Sequence, residues 1–591
     1  MMASGESKTF GFGRPRLGAQ QALGLLLLVY FALVLGWPIS SVIASGFQTA
    51  KGSWTLAYLS LILRDPLLLR GLLKAFAISL ATTFTAVAIA LPLAVLSVKF
   101  EFRAKRWLSA MTLLPMVLPP FVGALGMRML LSRFGPLTLL IDSDSALGID
   151  WLGQLRTLGV VVTEALGLYP IVLLNLQASL ANLDPDGERA ARNLGASKWQ
   201  LFRRITLPLL RPGLFAGSTL VLIWSFTELG TPLMFQVHDV APVQLYMRMS
   251  EIDSPLPHAL VTVMLFASVL LYALGRLLLG RSNAAQATKA VRVSVPQTLQ
   301  GARALAAALP FVVVVMLSLL PHVAVVLTSL SKTGAWYHSI LPRQFTTVHY
   351  EKALQDPLIM PSWTAQHQSF GAIANSILYA SAATLFGSAI ALVAAFLIVR
   401  SKLRWRSLID TLSMMPLAVP GLVLAFGYLS ISVHFKHRWG AQTPAFLDAQ
   451  QWPVGLLIVA YAARRLPYVV RSAVAGLEQT PVVLEHAAQN LGSGKARTWL
   501  KVTLPLLTAH LLAGALLAFT FALLEVSDSL LLAQTSEFYP ITKAIWELSQ
   551  RPGDGAYVAS ALGTWAMLLL GSSLLAVGAL LNRKLGTLFR A

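Results

Sequence analysis

Twelve runs of roughly twenty apolar residues decide what this chain can fold into. They fall near 22–45, 73–97, 108–131, 157–180, 213–235, 257–280, 304–329, 372–399, 407–433, 453–475, 509–534 and 557–581. About 20 apolar residues in a helix cross the hydrocarbon of a bilayer. The runs are continuous rather than alternating, so helices are expected and a barrel is not. A soluble domain carries roughly 25% charged residues. Here 12% are charged and 56% are hydrophobic, a surplus that a bilayer absorbs and a soluble core does not. The expectation is an all-α polytopic membrane protein with about twelve transmembrane helices, numbered spans 1 to 12 in chain order. The first run is longer than the apolar region of a signal peptide, and its removal would invert every later loop, so it reads as a retained span.

The net charge of +21 is distributed as a topology signal. Lys8, Arg14 and Arg16 precede span 1, and Lys99, Arg103, Lys105 and Arg106 follow span 2. Arg281, Lys289, Arg292 and Arg303 lie between spans 6 and 7. Arg400, Lys402, Arg404 and Arg406 follow span 8, and Arg583, Lys584 and Arg590 follow span 12. Twelve spans put all of these on one side, which the positive-inside rule assigns to the cytoplasm, together with both termini. The basic residues are thereby accounted for, with the lipid bilayer as partner and no nucleic acid. There is no cysteine, which excludes disulfides, thiolate metal sites and thiol catalysis.

Two charged islands interrupt the hydrocarbon on that same side. Glu188-Arg189-Ala190-Ala191-Arg192-Asn193-Leu194-Gly195 runs on to Pro208, and Glu485-His486-Ala487-Ala488-Gln489-Asn490-Leu491-Gly492 runs on to Pro505. The copies lie 297 residues apart, and at that offset Pro170 meets Pro467, Gly217 meets Gly514 and Glu228 meets Glu525. Upstream the offset is 301, matching Thr83 to Thr384 and Pro115, Pro119 and Gly126 to Pro416, Pro420 and Gly427. The chain is therefore an internal repeat. Residues 1–282 form one six-span half, 283–302 a basic linker, and 303–591 the second half. Six is even, so the repeats are parallel and enclose a central pathway about an axis along the membrane normal.

Read as a helix, each island puts Glu188, Ala191 and Gly195 (Glu485, Ala488 and Gly492) on one shallow face. Asp184 or Asp186 can cap its start, Gly195 and Gly492 permit the left-handed residue that ends it, and Pro208 and Pro505 stand where the next helix restarts. Prolines break spans 3 and 9 at Pro119 and Pro420, either as packing kinks or to free carbonyls toward the pathway. Glu228 and Glu525, with Asp528 nearby, are ionisable groups at membrane depth and so candidates for the pathway, where paired acids suit a cationic solute. The competing reading is a structural hydrogen bond to a neighbouring helix. Arg464 and Arg465 can pair with acids or meet an anion. No nucleophile–base pair or metal-ligand cluster stands out, and no catalytic or metal residue is assigned.

The pattern Glu-x-Ala-Ala-x-x-x-Gly, nine residues, then Ile/Val-x-Leu-Pro resembles the coupling loop of ATP-binding-cassette importer permeases. The resemblance covers nearly the whole chain and implies the type I importer permease fold, with both permease subunits fused. It implies coupling loops at 181–211 and 478–508, with Glu188, Ala191, Gly195, Pro208, Glu485, Ala488, Gly492 and Pro505 as the ATPase-coupling residues. The implied partners are two copies of an ATPase subunit at the cytoplasmic face and a periplasmic solute-binding protein at the outer face of a bacterial inner membrane. ATP and Mg²⁺ belong to the ATPase, and no cofactor is implied for this chain. Leu491-Gly492-Ser493-Gly494-Lys495 looks briefly like a phosphate loop, but Gln489 and Ala496 stand where its first glycine and its hydroxyl belong. Fused permeases of this length, the stretch Ala460–Tyr468 and the motif around Glu525 resemble ferric-iron importers, which implies iron as cargo. Permeases for 2-aminoethylphosphonate, thiamine, sugar phosphate and polyamine are close relatives that these motifs separate poorly. A secondary transporter with parallel six-helix repeats shares the topology but has no need of matched islands, and a membrane-embedded enzyme would need clustered catalytic groups.

Overall fold

The computed structural model describes residues 18–49, 51–141, 150–153, 155–181, 185–279, 296–336, 339–363 and 368–588. Eight helices among the described residues are long and apolar enough to cross a membrane: Gln20–Gly46, Pro66–Lys99, Arg156–Ala181, Pro255–Leu277, Gly301–Leu330, Ala372–Arg400, Lys495–Leu523 and Gly555–Ser573. Three more crossings are bent. Lys105–Met116 meets Pro120–Leu130 at 92°, Trp199–Leu209 meets Arg211–Phe226 at 65°, and Arg406–Ala418 meets Gly421–Gln442 at 98°. The remaining helix, Val454–Gln479, carries Arg464, Arg465 and Arg471, which lower its hydropathy. It stands where the tenth apolar run was expected and packs against spans 8, 9 and 11. Beside it, the described residues thus hold eight apolar helices of membrane length, or eleven with the bent pairs.

Each bend has a local cause. Pro119 and Pro420 occupy extended backbone between two helical pieces, so spans 3 and 9 turn sharply there. Proline donates no N–H, so the carbonyl four residues earlier loses its helical partner. In span 5 the bend follows Leu210, where Pro212 stands; its counterpart 297 residues on is Ala509, and span 11 runs straight through. Pro208 and Pro505 are the second residues of the resumed α-helices Leu207–Leu209 and Leu504–Leu523, and each restart is preceded by a π-helical turn, Phe202–Thr206 and Trp499–Thr503. The N–H groups of Leu207 and Leu504 still close the turn onto the Phe202 and Trp499 carbonyls. The proline two residues after the turn withholds the donor that follows, and the ladder absorbs one extra residue.

Spans 5 and 11 are shorter than their apolar runs. Their helices end at Phe226 and Leu523, and short helices restart at Gly230–Met234 and Ser527–Leu532. Glu228 and Glu525 sit in the breaks. The Glu228 carboxylate accepts the backbone N–H of Gly230 at 3.1 Å, a local bond that competes with continuing the helix.

The halves interlock. Leu27, Phe31 and Leu35 of span 1 belong to the core of the second half. Ala307 and Phe311 of span 7 belong to the core of the first. Two glycines at equivalent positions admit these crossings. A Cβ on Gly126 would lie 1.8 Å from the Pro321 carbonyl oxygen of span 7, and one on Gly427 would lie 2.8 Å from Pro38 of span 1. Most of the linker lies outside the described residues. Its end, Gln297–Thr298, pairs in parallel with Phe100–Glu101 after span 2.

Candidate functional site

The two islands fold alike. Pro185–Asn193 and Val482–Asn490 are nine-residue helices. Each ends in a left-handed glycine, Gly195 at φ 84° and Gly492 at φ 87°. The N–H of Gly195 donates to the Arg192 carbonyl and that of Ala196 to the Ala191 carbonyl; Gly492 and Ser493 repeat this with Gln489 and Ala488. This is the Schellman closure, which requires the conformation glycine adopts freely. Asp184 lies outside the described residues, and Asp186 falls inside the helix rather than at its cap. The phosphate-loop look-alike occupies the turn between two helices, Val482–Asn490 and Lys495–Thr498.

Ala191 and Ala488 are half-buried and the two glycines are exposed. The glutamates point into the protein. Lys99 Nζ donates to Glu188 Oε1 at 2.5 Å, and Thr206 Oγ1 donates to the same oxygen at 2.9 Å. Arg400 Nε donates to Glu485 Oε1 at 3.1 Å and its terminal nitrogen to the Thr480 carbonyl at 2.7 Å. Lys99 and Arg400 occupy equivalent positions at the ends of spans 2 and 8, so each island is clamped to its own half. Burial pushes the Glu188 carboxyl up, but the hydrogen bonds from Lys99 and Thr206 and the nearby Arg192 outweigh it and hold it below the ordinary carboxylate value. What the islands present outward is a leucine: Leu194 is 88% exposed and Leu491 is 90% exposed. Both are legible in the repeat as matched positions, yet only the tertiary structure shows that leucine faces out and glutamate faces in.

The second feature is a cavity of about 170 Å³ between the halves, at the level of the helix breaks. Glu164, Trp224, Glu228, Arg464, Arg465 and Glu525 line it, with Met116, Pro416 and Pro420 from the broken spans 3 and 9. The structure thus brings both repeat acids and one of the two repeat prolines to the cavity wall. Pro119 is buried beside it, next to the lining Pro120. Pro119 and Pro420 leave the carbonyls of Pro115 and Pro416 without a helical donor.

The two walls differ chemically. Glu525 is ion-paired with Arg464 and Arg465, and Arg464 also lies 3.6 Å from the fully buried Asp528. In the first repeat the positions of Arg464, Arg465 and Asp528 are held by Gly167, Leu168 and Thr231. Glu164, which the repeat comparison does not single out because its counterpart is Tyr461, stands on the first wall. Among the described residues, no three His, Cys, Asp or Glu side chains are grouped to hold a metal ion. His258 bonds the Ser254 carbonyl and, across helices, Ser430 Oγ, while His322 bonds the Ser318 carbonyl of its own helix and lies against Gly123 of span 3.

On the side away from the islands, Tyr246 and Lys543 meet at 3.0 Å. They are equivalent residues, 297 apart, in the short helices Ala241–Met247 and Ile541–Gln550. A position touching its own counterpart marks the pseudo-twofold axis.

Comparison with known proteins gives the same division. The model of the binding-protein-dependent transport system inner membrane component matches twice, at residues 86–287 and 383–587. A ferric transport system permease protein of Actinobacillus pleuropneumoniae is 26% identical over 523 residues, covering 85% of this chain and 70% of the relative. A putative ferric transport system permease protein of Haemophilus influenzae is 25% identical over 531 residues, covering 85% of this chain and 76% of the relative. A sulfate transport system permease protein of Escherichia coli is 30% identical over 260 residues, which is 43% of this chain and 90% of the relative.

Proposed function

The chain belongs to the binding-protein-dependent transport system inner membrane component family, and we propose on that premise that it is the fused permease of an importer carrying ferric iron into the cytoplasm. Members are multi-pass permeases of ATP-binding-cassette importers, which work with a solute-binding protein and leave ATP hydrolysis to a separate subunit. The observation that carries the iron reading is coverage. Two ferric permeases align across both halves, whereas the sulfate permease aligns with a single half.

In this reading the basic side is cytoplasmic, with both termini there. Two ATPase subunits bind one island each and bring their own ATP and Mg²⁺, and the permease holds no cofactor. Leu194 and Leu491 enter the ATPase surfaces beside Ala191, Gly195, Ala488 and Gly492. Glu188 and Glu485 pass the motion to spans 2 and 8 through Lys99 and Arg400, and the π-helical turns before Pro208 and Pro505 pass it to spans 5 and 11. A loaded binding protein docks on the opposite loops, around 47–72, 133–156, 331–370 and 533–556. ATP binding draws the islands together and opens the cavity outward, and hydrolysis returns it inward. Glu228, Glu525, Asp528, Pro119 and Pro420 border the route.

Uptake by proteoliposomes holding the permease, its ATPase and the binding protein tests this. Labelled ferric iron is expected to accumulate only with ATP and the binding protein, and unlabelled 2-aminoethylphosphonate, thiamine, sugar phosphate or polyamine is expected not to compete. Competition by one of these would reassign the cargo. Uptake driven by an ion gradient without ATP would make the chain a secondary transporter.

A further inference from the structure

The cavity's charges do not balance evenly between its walls. On the second wall two guanidiniums face two carboxylates, Arg464 and Arg465 against Glu525 and Asp528. On the first wall Glu164 and Glu228 have no ion-pair partner among the described residues. Glu164 is 4% exposed, and its Oε2 accepts from Thr82 Oγ1 at 3.3 Å and from Ser225 Oγ. Its Oε1 is buried and has no partner at all, although the side chain lines the cavity. The second repeat closes this position: Tyr461 stands there and shares a hydrogen bond with Ser529 at 2.6 Å. The carboxylates of the cavity that make no salt bridge among the described residues are therefore on one wall.

Glu228 shares the field of Arg464 with Glu525 and Asp528, and no cation among the described residues acts on Glu164. An ionisable group kept at membrane depth without a countercharge calls for a ligand. Carboxylate oxygens suit a hard cation. Two of them fall short of a cage, which suits a site that a moving ion must also leave. We infer that Glu164 and Glu228 form a transit site for a hard cationic centre of the cargo, while Arg464 and Arg465 neutralise the facing wall. This rests on the permease reading and adds to it the residue that touches the cargo.

Terbium(III) tests it, as a trivalent probe whose emission is excited through a nearby indole, and Trp224 lines the same cavity. The permease in lipid nanodiscs is expected to give saturable terbium emission that Trp224→Phe removes. Glu164→Gln with Glu228→Gln is expected to weaken binding at least tenfold and to cut iron uptake by the assembled transporter to a similar degree. A second variant leaves both acids in place. Gly167→Arg installs the guanidinium of the second repeat where a Cβ meets nothing within 4 Å, and is expected to displace terbium likewise. A purely structural Glu164 would not respond to it. Wild-type terbium affinity and uptake in both variants would overturn the site while leaving the importer intact. Absence of ATP-dependent iron uptake by the wild type would instead sink the cargo assignment.

Discussion

Glu188 shows how one residue type can be read correctly for place and incompletely for partner. The repeat makes it a matched position with Glu485, but its contact is with Lys99, 89 residues away. Lys99 and Arg400 are visible in the sequence only as topology-setting charges. Removing one partner of such a bond leaves the other underpaired, at a cost of about 1–3 kcal/mol. Glu188→Lys is thus expected to lower iron uptake per ATP hydrolysed, and Lys99→Glu combined with Glu188→Lys to recover it. Failure of the exchanged pair to recover coupling would leave Glu188 as a surface contact for the ATPase. The clamp also has a definite pH response. The Glu188 carboxyl titrates below its unfolded value, so its contribution is fully present above the ordinary carboxylate value, about 4.3, and is lost as pH falls through the lower folded value. The protection of Pro185–Asn193 against hydrogen exchange, taken relative to the intrinsic rate at each pH, is expected to be flat from neutral pH down to about 5 and to fall only below the ordinary carboxylate value.

At the scale of elements, apolar length finds the eight long helices and the three bent pairs, because burial in lipid is a property of composition. It was not enough to find where helices stop inside the membrane. Spans 5 and 11 read as continuous to residues 235 and 534, yet they break at Glu228 and Glu525. There a carboxylate that finds a local N–H, or two arginines from another span, outweighs the apolar run. Prolines are legible as breaks at Pro119 and Pro420, but the π-helical turns that precede Pro208 and Pro505 are not, since one missing donor can be met by bending or by widening. The close crossings give a sharper test. A Cβ at Gly126 would overlap the Pro321 carbonyl of span 7, and backbone cannot step aside as a side chain can. Overpacking of this kind costs about 1–3 kcal/mol. Gly126→Ala and Gly427→Ala are expected to lower the melting temperature in detergent, and Gly571→Ala, where a Cβ meets nothing, to change stability by less than about 0.5 kcal/mol. Equal melting of all three would mean spans 1 and 7 cross more loosely than the glycines imply.

For the whole molecule, the repeat announces two similar halves but not that they exchange their first spans. That exchange rests on contacts between residues hundreds of positions apart, and no local pattern encodes them. It changes what the linker is for. Span 1 is packed in the second half's core and span 7 in the first's, so the association does not depend on the covalent joint. Cutting the chain between residues 288 and 289 and expressing both pieces together is expected to give halves that copurify, melt in one transition and sustain iron uptake with the ATPase and binding protein. Separation of the pieces in mild detergent would show that the joint, not the exchange, holds the halves together. What fusion does confer is a fixed pairing of unlike halves. Two copies of one half would repeat either the Gly167 wall or the Arg464 wall on both sides of the cavity. A single chain sets an acidic wall opposite a neutralised one in every molecule.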